Sequence, residues 1–300
     1  PFPPIYRLIH SSLMLSVLTV QIGALSSELP VLEWDRTYGG AMYDRAYSVV
    51  QTEDGGYAIA GDTESFGAGG YDFWLVKTNA QGQMVWNRTY GGAKWEDAYS
   101  VVQTTDGGYA MGGCTYSFGA GQLDAWLVKV DMYGNMEWNE TYGGSNYDYA
   151  FCVIQTSDGG YALAGETYSY AQDGDGDAWL IKTDANGTMQ WNKPYPKGGL
   201  EGAYCVIQTG DGGYTMAGYT STAYNHERVR DFWLVKIDAN GNMQWNKTYG
   251  GVGPDDACSI VQTDDGGYTL GGNTESFGAG GRDFWLVKVD SHGNMQWNMT

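Results

Sequence analysis

Apolar and polar positions alternate in short runs along most of this chain. Ala46-Tyr47-Ser48-Val49-Val50-Gln51-Thr52 is rich in β-formers and is followed at once by Asp54-Gly55-Gly56. Tyr57-Ala58-Ile59-Ala60-Gly61 is a second run, and the glycine-rich Phe66-Gly67-Ala68-Gly69-Gly70 separates it from a third, Phe73-Trp74-Leu75-Val76-Lys77. After Asn79-Ala80-Gln81-Gly82 comes a fourth, Met84 to Tyr90. Runs of this length predict strands, and D-G or x-G between them predicts hairpin turns, because glycine accepts the positive φ such turns need. No helical periodicity interrupts them, so the unit is a four-stranded antiparallel meander.

The unit is written five times. From Trp34 the pattern W-[DN]-x-T-Y-G-G, an acidic residue, Q-T-x-D-G-G-Y, G-x-T, D-x-W-L-[VI]-K and G-x-M-x-W recurs, returning to Trp at Trp86, Trp138, Trp191, Trp245 and Trp297. Spacings of 52, 52, 53, 54 and 52 residues mark one supersecondary unit that buries its apolar face only by stacking on copies of itself. Four-stranded units of this period, with a Trp on each outer strand, predict an all-β fold over residues 30–300. The expected architecture is a β-propeller of four-stranded antiparallel blades around a central channel. Five blades are complete, and Val31 to Tyr38 matches a fourth strand with no first three before it, a spare N-terminal outer strand. Two arrangements accommodate it: a propeller of at least six blades, of which this chain is a fragment, or a closed ring of five with that strand left at an edge.

Gly39 to Asp44 reads G-G-x-x-x-D, and Asp54 to Thr63 runs from D-G-G-Y to a closing G-x-T; both recur in every repeat. On these motifs the chain resembles the secreted β-propeller repeat families over residues 34–300. The tail of each unit, such as Asp131 to Trp138, is also similar to the Trp-docking repeat of quinoprotein propellers, although the Asp-to-Gly spacing there is one residue longer.

Residues 1–29 share nothing with the repeat. Arg7 and His10 precede the apolar run Leu13 to Val20, and small residues follow at Ala24, Ser26 and Ser27, the layout of a secretory signal peptide or leader. The run is short of the ~20 apolar residues of a membrane span; an uncleaved N-terminal anchor is the alternative. A secreted or cell-surface location is therefore expected. The cysteines Cys114, Cys152, Cys205 and Cys258 substitute for other residues at scattered repeat positions, show no zinc spacing, and read as packing residues. Acids outnumber bases 35 to 16, and a net charge of -19 with no Lys/Arg cluster argues against a nucleic-acid partner.

Strand alternation brings the loops between second and third strands and those between blades to one face. That face collects acids at Asp44, Glu96, Asp148, Glu201 and Asp255, with Tyr43, Trp95 and Tyr147 beside three of them. Such a ring is suited to sugars or cations, since aromatic faces stack on sugar rings and carboxylates take hydroxyls or Ca²⁺; the competing role is loop capping. A second series, Asp72, Asp124, Asp177, Asp231 and Asp283, stands two residues before a Trp and is expected to fix loops. In the third blade Asp173-Gly174-Asp175-Gly176-Asp177 spaces three carboxylates on a glycine-containing loop, the metal candidate of the chain, with Ca²⁺ as the cation. The Trp74, Trp126, Trp179, Trp233 and Trp285 series is expected to fill the space between blades. Sequons at Asn87, Asn139, Asn186, Asn246 and Asn298 permit glycosylation, though four of the five follow from the repeat itself.

An enzyme needs a unique constellation, whereas the polar positions here recur from blade to blade. His226, in the departing loop of blade four, is the one side chain singled out for inspection. The expectation is a monomeric, non-catalytic binding module for an extracellular glycan, polymer or protein; a structural scaffold within a larger cell-envelope protein and a propeller glycosidase or lyase are the alternatives.

Overall fold

Each repeat folds where its pattern places it. The computed structural model describes residues 10–11, 33–172, 174–224 and 227–300. In blade one the strands are Asp44–Gln51, Tyr57–Thr63, Asp72–Thr78 and Met84–Tyr90, paired antiparallel in sequence order, and the same order recurs in four further sheets. First strands of neighbouring blades lie side by side, which puts them nearest the axis of the propeller. Each first strand carries a bulge, between Ala46 and Ser48 in blade one and at the equivalent place in every other. The extra residue aims the side chain at Tyr47, Tyr99, Phe151 or Tyr204 out of the regular alternation. These four rings then follow one another at 5.7, 5.6 and 5.4 Å between centroids.

Two devices written into the repeat hold blades together, and a third ties each blade to its own D-G-G turn. The third-strand tryptophans fill the space between blades as expected: Phe73 lies 4.6 Å from Trp126, and Phe232 lies 4.6 Å from Trp285. The indole N–H of each donates to the Asn after the outer-strand Trp, as in Trp126 Nε1 to Asn139 Oδ1 at 3.0 Å. Buried Trp needs such an acceptor, which accounts for W-N in the repeat and commits four of the five sequon asparagines to the fold. The second device grips the next blade's last turn. Tyr90 donates to the Gly134 carbonyl at 2.8 Å, and a Cβ on Gly134, which has φ near +79°, would strike Trp86 at 2.8 Å.

The third device is a buried lysine. Lys77, Lys129, Lys182, Lys236 and Lys288 lie beneath the D-G-G turns and meet Asp54, Asp106, Asp158, Asp211 and Asp265 at 2.8–2.9 Å. The turn acids therefore do more than shape a hairpin. A lysine stripped of its counter-charge keeps the cost of burial, so Asp158→Asn is expected to lower the unfolding free energy by about 1–3 kcal/mol in a denaturant titration. Asp158→Glu, which restores the charge, recovers part of that loss.

The spare N-terminal segment adopts the docking of an outer strand without its hydrogen-bonded ladder. Trp34 packs edge-on against Tyr57 at 5.8 Å, as Trp86 does against Tyr109 at 5.9 Å, and Tyr38 donates to the Gly82 carbonyl at 2.5 Å. Among the described residues, 33–38 join no strand ladder. At the other end, blade five shows the face its predecessors bury. Phe284 is 74 % exposed where Phe73 and Phe232 are fully buried, and Leu286, Val261 and Met299 are open beside it. Among the described residues, no strand of blade five packs extensively on blade one.

The expected leader over residues 1–29 lies outside the described residues except for His10–Ser11, which pairs parallel with the first strand of blade one. Among the described residues no helix is long and apolar enough to cross a membrane. All four cysteines are free thiols; Cys114, Cys152 and Cys205 are buried and Cys258 is partly so.

Candidate functional site

The loop-face acids are spent on the loops themselves. Glu96, Asp148, Glu201 and Asp255 are fully buried. Asp148 accepts from the Gly144 amide at 3.0 Å, from Thr167 and from Ser169, each at 2.5 Å; Asp255 is held by the Gly251 amide and Ser276 at 3.1 and 2.7 Å. Asp44, which is partly buried, accepts from Thr63, from the Gly40 amide at 2.7 Å and from Ser65 at 2.7 Å. Burial works against ionisation at Asp44, but these donors outweigh it and hold the carboxyl below its usual range. Of the two roles open to these acids, the hydrogen bonds show the loop-capping one. A T-Y-G-G turn has several inward amides to satisfy, and a carboxylate four residues on is the nearest acceptor.

Asp72, Asp124 and Asp283 fix the glycine-rich loops, as in the Ala68 amide to Asp72 Oδ2 at 2.7 Å. The two acid series meet across blade boundaries: a Cβ on Gly91 would fall 1.8 Å from Asp72 Oδ1 and 2.6 Å from Glu96 Oε2. Glycine is required there by this approach. Burial, with the neighbouring loop acid adding repulsion, raises the Asp72, Asp124 and Asp231 carboxyls. In the third-blade metal candidate, Asp177 is buried at its strand start like Asp72 and Asp124 and Asp175 is half-buried, while Asp173 lies outside the described residues. The described residues contain no group of three side chains suited to a metal. His226 also lies outside the described residues; the strands flanking it, Tyr214–Tyr224 and Glu227–Ile237, extend the blade-four hairpin beyond those of the other blades.

What the loop face does offer is aromatic surface, and it is unevenly distributed. Tyr43 is 71 % and Trp95 49 % exposed. Trp95 meets Tyr71 at 6.3 Å and Tyr116 at 6.2 Å, both edge-on, and Tyr147 meets Tyr168 at 6.5 Å. The backbone beneath is tied from loop to loop: the Tyr116 amide donates to the Trp95 carbonyl at 2.9 Å, and Tyr168 to Tyr147 likewise. The arc spans blades one to three. Leu200, which is buried, and Pro254 replace its members in blades four and five.

Beside the arc, two charged clusters break the repeat. Arg45 donates from Nε to Asp62 Oδ1 at 2.9 Å and reaches Asp97 of blade two at 3.4 Å. Asp62 is fully buried, and burial together with the Asp97 carboxylate pushes its own carboxyl up to about 8. Between blades three and five, Tyr219 donates to Glu166 at 3.1 Å, Arg230 lies 4.1 Å over the Tyr219 ring, and Arg230 faces Asp256 at 3.6 Å. Reading the repeat for what recurs passed over these residues. The signal was in the columns where the copies disagree: Arg45, Asp97, Tyr149, Gly202 and Asp256 in one, Asp62, Cys114, Glu166, Tyr219 and Asn273 in the facing one.

No protein-family model and no curated protein matches this chain. Among solved structures it is similar to a protein of unknown function from Dyadobacter fermentans, at TM-score 0.50 and 12% identity over 83% of this chain and 79% of that one. It also aligns with the WD40 domain of Pan2 from Neurospora crassa, at TM-score 0.49 and 10% identity over 82% and 75% of the two chains. At these identities likeness speaks to fold alone, and the β-propeller is read from the five four-stranded sheets themselves.

Proposed function

We propose that this β-propeller is a non-catalytic binding module that takes a carbohydrate polymer across the loop face of blades one to three. The observation that carries the reading is the arc of exposed Tyr43 and Trp95 and half-buried Tyr147, with Tyr71, Tyr116 and Tyr168 behind it, on a backbone tied between blades. Rigid rings offer flat apolar area at low entropic cost, which suits the C–H faces of sugars. The leader-like sequence of residues 1–29 supports placing the module outside the cell or at its surface. Stacking alone requires no Ca²⁺, so chelator is expected to leave binding unchanged.

A polysaccharide array tests this directly. Trp95→Ala is expected to weaken retention about tenfold, while Tyr133→Ala, an exposed ring on the opposite face, leaves it unchanged. Absence of binding to any polysaccharide by a folded sample would reject the reading. The open apolar face of blade five favours a second one, a scaffold role within a larger assembly.

A further inference from the structure

We propose that the crevice between blades one and two, formed by Arg45, Asp62 and Asp97 beside Tyr71 and Trp95, is a subsite for one neutral sugar ring and discriminates against acidic sugars. The inference rests on the carbohydrate reading above and adds to it a place, a polar recognition set and a substrate class.

Arg45 is held on three sides. Its guanidinium lies 4.7 Å over Tyr71 and 5.5 Å over Tyr47, with Nε on Asp62 and Nη2 on Asp97. An arginine pinned this way has already lost its rotamer freedom, so the donors it still offers cost little to use. Nη1 has no acceptor among the described hydrogen bonds, and the side chain remains 46 % exposed. Asp97 is accessible too; it lies within hydrogen-bonding reach of the Asp62 carboxyl, and its second oxygen receives the Tyr99 hydroxyl at a long 3.3 Å. A donor and an acceptor therefore stand side by side at one rim of the crevice. Tyr71 leads from them to the exposed indole of Trp95.

That layout matches the chemistry of a pyranose. One hydroxyl of a vicinal pair donates to Asp97, its neighbour accepts from Arg45, and the C–H face of the ring lies on Trp95. Asp62 contributes from below: it is buried, its Oδ2 accepts no hydrogen bond, and it fixes Arg45 rather than touching the sugar. It is a positioning residue. The charge balance selects the ligand, because the Asp97 carboxylate stands at the rim and already shares the Arg45 guanidinium, in a chain of net charge -19. A uronic acid would bring a further carboxylate close to Asp97, and like charges in a partly desolvated crevice repel. A second arginine, Arg230, lies between the same two columns at blades four and five, but the position before the loop acid there is Leu200 or Pro254 rather than a ring such as Trp95, so among the described residues the Arg–Asp pair stands beside an exposed indole only here.

The test is affinity electrophoresis of the full chain through gels containing laminarin, galactan or mannan as neutral polymers, and alginate or polygalacturonate as acidic ones. Asp97→Asn and Arg45→Gln are run beside Trp95→Ala, with thermal unfolding to confirm folding. The expected result is retention on at least one neutral polymer, about tenfold weaker in Asp97→Asn and in Arg45→Gln, and weaker retention on every acidic polymer. Trp95→Ala losing affinity while Asp97→Asn keeps it would overturn the subsite and leave the carbohydrate reading standing. Preference for alginate or polygalacturonate would overturn the selectivity. Binding that survives in Trp95→Ala but is lost in Tyr147→Ala would place the ligand elsewhere on the arc and sink the subsite. If the folded wild type is retained by no polymer, both readings fall. Should Arg45→Gln unfold, Asp97→Asn carries the test alone.

Discussion

Phe232→Ala is expected to lower the unfolding free energy by about 3–5 kcal/mol, whereas Phe284→Ala, at the same place in the next blade, changes it by less than ~1 kcal/mol. The two residues are the same amino acid in the same repeat motif. Phe232 is fully buried and stacks at 4.6 Å on Trp285; its removal leaves a cavity between blades four and five that rigid sheets cannot collapse. Phe284 faces outward with Leu286, so truncation there removes exposed area only. Urea titration of the two variants decides the matter. Equal losses would mean that blade five's face is covered in solution, and would contradict the open edge described above.

The second large effect is on pH. Two sets of carboxyls oppose each other. Burial resists ionisation at Asp106, Asp158 and Asp211, but the buried lysines and the turn threonines outweigh it and hold all three down to about 2. At Asp54 the Lys77 contact leads, burial resists less, and the carboxyl is likewise held down to about 2. Groups with lowered pKa contribute stability that is present above about pH 4 and lost as pH falls toward 2. Asp62, Asp72, Asp124, Asp231 and Asp256 are raised, with burial the leading cause in each. Their sign is the reverse: the folded state binds protons that the unfolded chain has released, so their contribution is complete below about pH 4 and fades as pH rises toward 8. Stability is therefore expected to peak near pH 4–5 and to decline on both sides.

Between pH 5 and pH 8, Tm should fall by about 5–10 °C. Self-repulsion of a chain of net charge -19 acts in the same direction. Asp62→Asn separates the two causes, because the amide still accepts from Arg45 but does not titrate, and its alkaline limb should be visibly flatter. A Tm that stays level from pH 5 to pH 8 would refute the proton uptake.

Most of the fold was legible because the information is local and repeated. Strand runs, D-G-G turns and the period near 52 residues recur with fixed offsets, and a face copied five times has one way to be buried, against its neighbour. Even the outer-strand character of Trp34 to Tyr38 was readable, since Trp34 and Tyr38 find the partners that Trp86 and Tyr90 find one blade later. The candidate site was less legible. Asp44, Glu96, Asp148, Glu201 and Asp255 drew attention because they recur. Recurrence marked them as parts of the blade, and their ligands proved to be the amides and hydroxyls of their own loops.

The sequence by itself determined the blade: four strands, their turns and the stacking of one copy on the next, while the Trp–Asn and Lys–Asp contacts came with the structure. Tertiary structure alone decided which exposed groups come together. Arg45 and Asp62 meet across one hairpin, but Asp97 comes from the next repeat, 52 residues on, and Tyr71 from the loop between. Residues that distant in sequence are joined only by stacking of whole blades, whose driving force is apolar burial and is blind to the polar side chains it carries to the rim. Residues that vary between copies are free of the packing constraint for that same reason, and it is there that a site used only once is assembled.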